Sequence, residues 1–169
     1  MTKFEEMVEW AKGGVENVVK AFEKPDDDVM PTLLMRCPAG AFVVPLRGDK
    51  HELPGLLRAL FLRYRPRFAA LVLSAWSASL DAKVEEERAL LALVFTGATS
   101  VRALPEQYRK EIVMVEASDG TALRNLCAQL NRSPDLPPAL GPWEELDQEK
   151  AKGGRLQGVV RDALQGVRK

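Results

Sequence analysis

The chain has 169 residues, 46% of them hydrophobic and 28% charged, which suits a single globular domain with a sizeable core. Its 24 basic residues equal its 24 acids, so no bulk field draws it to nucleic acid or anionic lipid, and any such binding must be local. The start, Met1-Thr2-Lys3-Phe4-Glu5-Glu6, carries acids where a secretory signal has a basic and then an apolar region, and no run reaches membrane-spanning length. A cytoplasmic location follows as an expectation, with Cys37 and Cys127 kept as thiols.

Phe4, Met7, Val8, Ala11, Val15, Val18, Val19 and Phe22 recur at helical spacing, so residues 3–24 are expected to form an amphipathic helix. Gly13-Gly14 weakens its middle, which implies either a bend or a close-packed neighbour. Pro25 and Asp26-Asp27-Asp28 end it in a solvated loop. Thr32–Cys37 and Ala41–Leu46 flank the turn-forming Pro38-Ala39-Gly40 and predict a hairpin, with Pro45 at a sheet edge or strand end. Asp49 stands where an N-cap would be for the next helix, whose Leu53, Leu56, Leu57, Leu60, Phe61 and Tyr64 give the clearest helical period in the chain. Pro54 fits only its first turn, and Pro66 stops it.

Phe68–Trp76 is almost unbroken apolar sequence and reads as a strand buried on both faces, the centre of a sheet. Glu85-Glu86-Glu87 suggests a helical turn or a loop, and Ala89–Phe95 and Ile112–Ala117 are two further buried runs expected as strands. Asp119-Gly120 is a strong hairpin signal. Residues 122–131 fit both periods; because the Asp-Gly turn needs a partner, a strand is expected. Pro134, Pro137, Pro138, Gly141 and Pro142 predict an extended linker. Glu144–Lys152 is polar, Gly153-Gly154 breaks it, and Leu156, Val159, Val160, Ala163, Leu164 and Val167 predict a final amphipathic helix.

Together these elements predict an α+β fold, ordered α-β-β-α-β-β-β-β-α, with a mostly antiparallel sheet of about six strands. Residues 1–143 form the single domain and 144–169 a C-terminal helical arm. The helix near 50–65 can cover one sheet face, and either the terminal helices or a second copy must cover the other. The strand ending Ser74-Ala75-Trp76, the two strands after it and Leu140-Gly141-Pro142-Trp143 resemble a group of small uncharacterised bacterial and phage proteins over roughly residues 30–143. The resemblance implies the same α+β fold and carries no activity.

Residue types of catalytic value are sparse. His51 is the single histidine, no serine lies in a glycine-flanked nucleophile elbow, and Thr96-Gly97-Ala98-Thr99-Ser100 lacks the glycines and lysine of a phosphate loop. Asp26-Asp27-Asp28 lacks the spacing of a calcium loop, and no pattern calls for a cofactor or a resident metal. Asp49, Asp81 and Glu116 are the acids from which a Mg²⁺-assisted hydrolase site would have to be assembled in space. Arg58, Arg63, Arg65 and Arg67, with Tyr64 and Phe68, form the best basic and aromatic cluster, and arginines beside aromatic rings suit phosphate contact and base stacking. Trp10, Trp76 and Trp143 read as packing anchors. The poverty of catalytic types, the two-sided strands and the amphipathic ends favour a non-enzymatic, homodimeric protein-interaction domain. A nucleic-acid-associated protein using the Arg58–Arg67 edge is the alternative, and a metal-assisted hydrolase the second.

Overall fold

The computed structural model describes residues 1–146 and 158–169. Its elements are α1 (Lys3–Lys20), β1 (Thr32–Cys37), β2 (Gly40–Pro45), α2 (Leu53–Tyr64), β3 (Phe68–Ala78), α3 (Glu85–Phe95), β4 (Arg109–Ser118), β5 (Leu123–Asn131), β6 (Ala139–Glu145) and α4 (Val159–Arg168), with two short 3₁₀ turns before β4. All six strands join one antiparallel sheet in the order β2-β1-β3-β4-β5-β6. The α+β class, the six-stranded sheet, the first hairpin, the Asp-Gly hairpin and the strand at 122–131 are as expected.

Two elements differ. The run Ala89–Phe95, expected as a strand, is the body of α3, and Glu85-Glu86-Glu87 is its acidic first turn. Leucine and alanine are strong helix formers, and three carboxylates complement the positive end of the helix dipole. The sixth strand comes instead from the proline-rich segment: β6 pairs with β5 at the sheet edge, where Pro142 need not donate to a further strand. The register shifts between Ala128 and Leu130, opposite this stretch. Asp49 does not cap α2. The cap position is Glu52, without a side-chain bond, and the Asp49 carboxylate accepts the N–H of His51.

The β3 and β4 strands at the centre are buried on both sides, and two apolar cores follow from their period-two alternation. On one face Ala70 and Val72 with Val113, Val115 and Ala117 meet Met7, Val8, Ala11, Val15 and Val19 of α1. On the other, Ala69, Leu71 and Leu73 with Leu33 and Met35 meet Leu57 and Phe61 of α2 and Val160 and Leu164 of α4. The terminal helices therefore cover both faces within one chain, and no second copy is needed to bury the sheet. The C-terminal arm is docked through α4; the polar stretch to Lys152, Gly153-Gly154 and Leu156 lie partly or wholly outside the described residues.

A capping box starts α1: Thr2 Oγ1 accepts the N–H of Glu5, and Glu5 Oε2 accepts the N–H of Thr2. On the same side of the sheet, Trp143 Nε1 donates to Glu16 Oε1 at 2.9 Å and pins β6 to α1. Arg132 clamps the loop after α1, donating to both oxygens of Glu111 at 2.6 and 2.8 Å and to the carbonyls of Pro25 and Asp27. Bidentate geometry of this kind is the stronger class of ion pair.

The start of α4 is held by a buried carboxylate. Glu116, 4% exposed, accepts the N–H groups of Gly158 at 2.7 Å and Val160 at 2.8 Å, which satisfies two donors the first turn would otherwise leave unpaired. Burial pushes its carboxyl above the ordinary range, with the bonds from Val160 and Gly158 opposing that shift in part.

Two predictions follow from this packing. A Cβ on Gly13 or Gly14 meets nothing within 4 Å, so neither glycine serves a close approach. Gly13→Ala and Gly14→Ala should each stabilise the chain by up to about 1 kcal/mol in denaturant unfolding, and a loss of stability would show that the helix needs their backbone freedom. For Glu116, a pKa raised in the folded state means stability that is full below the unfolded-state pKa and is lost as pH rises through the folded one. Against Glu116→Gln, the wild-type unfolding free energy should therefore decline as pH rises above the ordinary carboxylate range, and a difference that grows with pH would reverse the assignment.

Candidate functional site

A concavity of about 410 Å³ lies where α2 ends, the chain turns into β3 and α4 finishes; Phe61, Arg65, Pro66, Arg67, Leu164, Val167 and Arg168 line it. Phe61 and Leu164 are anchored in the core and form its floor. The turn is built by Arg65, which ends α2 in the left-handed conformation with φ 50° and ψ 53°, and by Pro66, which cannot continue the helix. Among the described residues Arg65 is the one non-glycine with positive φ, a position where glycine is the usual choice. Its guanidinium Nη1 donates to the carbonyl of Val167 at 3.0 Å, so the side chain caps the end of α4 while the backbone caps α2. From the other side, Arg168 Nη2 donates to the carbonyl of Arg67 at 3.1 Å, and Nη1 to that of Asp119. The Arg67 N–H donates to the carbonyl of Arg36, which ties the turn to β1.

Three arginines thus line one small space. No carboxylate pairs with any of them among the described residues, and the Arg67 side chain has no hydrogen-bond partner there either. Of the four arginines singled out in the sequence, the concavity takes Arg65 and Arg67 and leaves out Arg58 and Arg63; Arg63 lies over the ring of Tyr64, 5.4 Å from its centroid. Tyr64 itself packs on Phe42, and Phe68 on Phe4, so both rings serve the cores. The third member, Arg168, is about a hundred residues from the other two, and no local signal pairs it with them. Only the docking of α4 does so.

The acids are dispersed. Asp49 lies in the loop before α2, Asp81 before α3, and Glu116 beneath α4 with both oxygens engaged. Among the described residues no group of three or more His, Cys, Asp or Glu is placed to hold a metal ion. Asn125 stands opposite Glu116 in the β4–β5 register, is 2% exposed, and finds no partner for either side-chain polar atom among the described residues. The two cysteines are free, and burial raises both thiols above their usual range, away from the thiolate a nucleophile needs. His51 is exposed.

The other unusual surface is α3. None of its residues is buried. Phe95 is 71% exposed, Leu93 45% and the preceding Val84 44%. Val84, Leu91 and Phe95 fall at i, i+7 and i+11 along one side of the helix, with Leu91 half-buried, while Leu93 lies on the opposite side. Trp76, also partly exposed, lies near the end of β3 with the Arg109 guanidinium 4.8 Å from its ring centroid.

No helix among the described residues is long and apolar enough to cross a membrane. No family model matches the chain, and no curated protein or solved structure matches it.

Proposed function

We propose that the protein is a non-enzymatic interaction domain that associates with a second copy of itself through α3. The observation that carries this reading is an 11-residue helix with no buried residue in a fold whose other helices each bury an apolar face. Contiguous exposed apolar surface on a water-soluble fold is the usual mark of a contact surface.

The occupant is argued from the stripe itself. In an antiparallel pair about a two-fold axis, Val84 of one copy comes opposite Phe95 of the other, and Arg88 opposite Leu91. The two helix dipoles then oppose, and Glu85, Glu86 and Glu87 lie at opposite ends, so their like charges are kept apart. The sheet edges support the reading less. Pro142 interrupts β6, and β2 is only six residues long. A nucleic-acid-associated role through the Arg58–Arg67 edge has less support, because only half of that edge converges.

Light scattering and sedimentation across micromolar concentrations test the proposal. The wild type should form a dimer, Phe95→Glu should weaken association on the order of ten- to a hundredfold without altering thermal stability, and Leu62→Glu, at an exposed leucine of α2, should leave it unchanged. A monodisperse monomer, or equal effects of the two substitutions, would remove the α3 interface.

A further inference from the structure

The concavity between α2 and α4 carries an inference that does not depend on α3. Two of its three arginines have a structural explanation: Arg65 answers the Val167 carbonyl at the end of α4, and Arg168 answers the carbonyls of Arg67 and Asp119 in the two turns beside it. Arg67 also lines the space, and its side chain has no hydrogen-bond or ion-pair partner among the described residues. Arg65 is more than a cap. An arginine held at φ 50° costs stability that glycine would avoid, and that cost is tolerated here in a chain with glycine at every other positive-φ position described.

We propose that this concavity is a binding site for the phosphate group of a small phosphomonoester, held jointly by Arg65, Arg67 and Arg168. Each guanidinium is planar and carries five donors, so a bond to one carbonyl leaves the rest of the fork for an anion. Three forks approaching from the end of α2, the turn and the end of α4 suit a tetrahedral dianion, which offers oxygens in three directions, better than a flat carboxylate, which one fork satisfies. The volume, about 410 Å³, matches a small molecule. The Phe61 and Leu164 floor leaves room beneath the charges for the apolar or aromatic part of the ester, and among the described residues no acid lines the site to compete with it.

Phenyl phosphate is a suitable probe, with benzoate, inorganic phosphate and a short single-stranded oligonucleotide as comparators, in calorimetry and amide NMR at low salt. Saturable binding of phenyl phosphate should shift the amides of residues 65–67 and 167–168, exceed benzoate at least tenfold and weaken as salt is added. Arg67→Gln should lower affinity at least tenfold with the unfolding midpoint unchanged, since its side chain has no bonding partner among the described residues. Arg65→Gly separates binding from folding: it relieves the left-handed strain while removing a fork, so affinity should drop while the fold persists. Absence of saturable binding, equal affinity in Arg67→Gln, or benzoate bound as well as phenyl phosphate would overturn the proposal. Oligonucleotide binding lost in Arg67→Gln, without phenyl phosphate binding, would assign the same arginines to nucleic acid instead.

Discussion

The two-sided burial of β3 and β4 constrains everything else. A strand whose neighbours on both sides and both faces are apolar cannot meet water anywhere, so each face must be closed by a separate element. Here α1 closes one face alone, while α2 is too short to close the other and shares it with α4. The carboxylate of Glu116 is the joint in that second cover. It rises from β4 into the first turn of α4, where two backbone donors need an acceptor, and the favourable geometry is obtained at the desolvation cost visible in its raised pKa.

Docking α4 has a second consequence. It places the C-terminal ends of α2 and α4 side by side, which brings the carbonyls of Val167 and Arg67 within reach of arginines from the opposite end. Arginines at both ends answer them, which creates a dense positive corner on a chain with no net charge. The same cover that completes the core therefore assembles the concavity, and a chain lacking α4 would expose Leu57 and Phe61 and lose the third guanidinium together. By contrast α3 takes no part in either face. It interrupts the β3–β4 connection as an excursion, and its apolar stripe contributes nothing to the two cores.

The helix at Leu53–Tyr64 could be read from its 3.6-residue period, and the central strand at Phe68–Trp76 from a short apolar run bounded by Arg65-Pro66-Arg67. Ala89–Phe95 misleads because seven apolar residues in a row carry no period, and flanking polar sequence suits a strand and a helix alike. Glu85-Glu86-Glu87, read as a helical turn or a loop, is the start of a helix that continues through the apolar run. The strand at Ala139–Glu145 was hidden by its prolines, which exclude a central strand but not an edge. Arg65 and Arg67 were visible as a cluster, whereas Arg168 was not, since only tertiary docking brings it there. Glu116 was visible as an acid within an apolar strand, but its partner is the start of a helix far along the chain.

Native-state hydrogen exchange measured over a range of protein concentrations tests most directly the view that one chain closes both faces of its own sheet and leaves α3 for a second copy. Amides of Ala69–Leu73 and Val113–Ala117 should exchange only through global unfolding at every concentration, while those of α3 should exchange early in dilute solution and gain protection as concentration rises. Protection of α3 that matches the central strands and ignores concentration would contradict it, as would central strands whose protection appears only when the protein is concentrated.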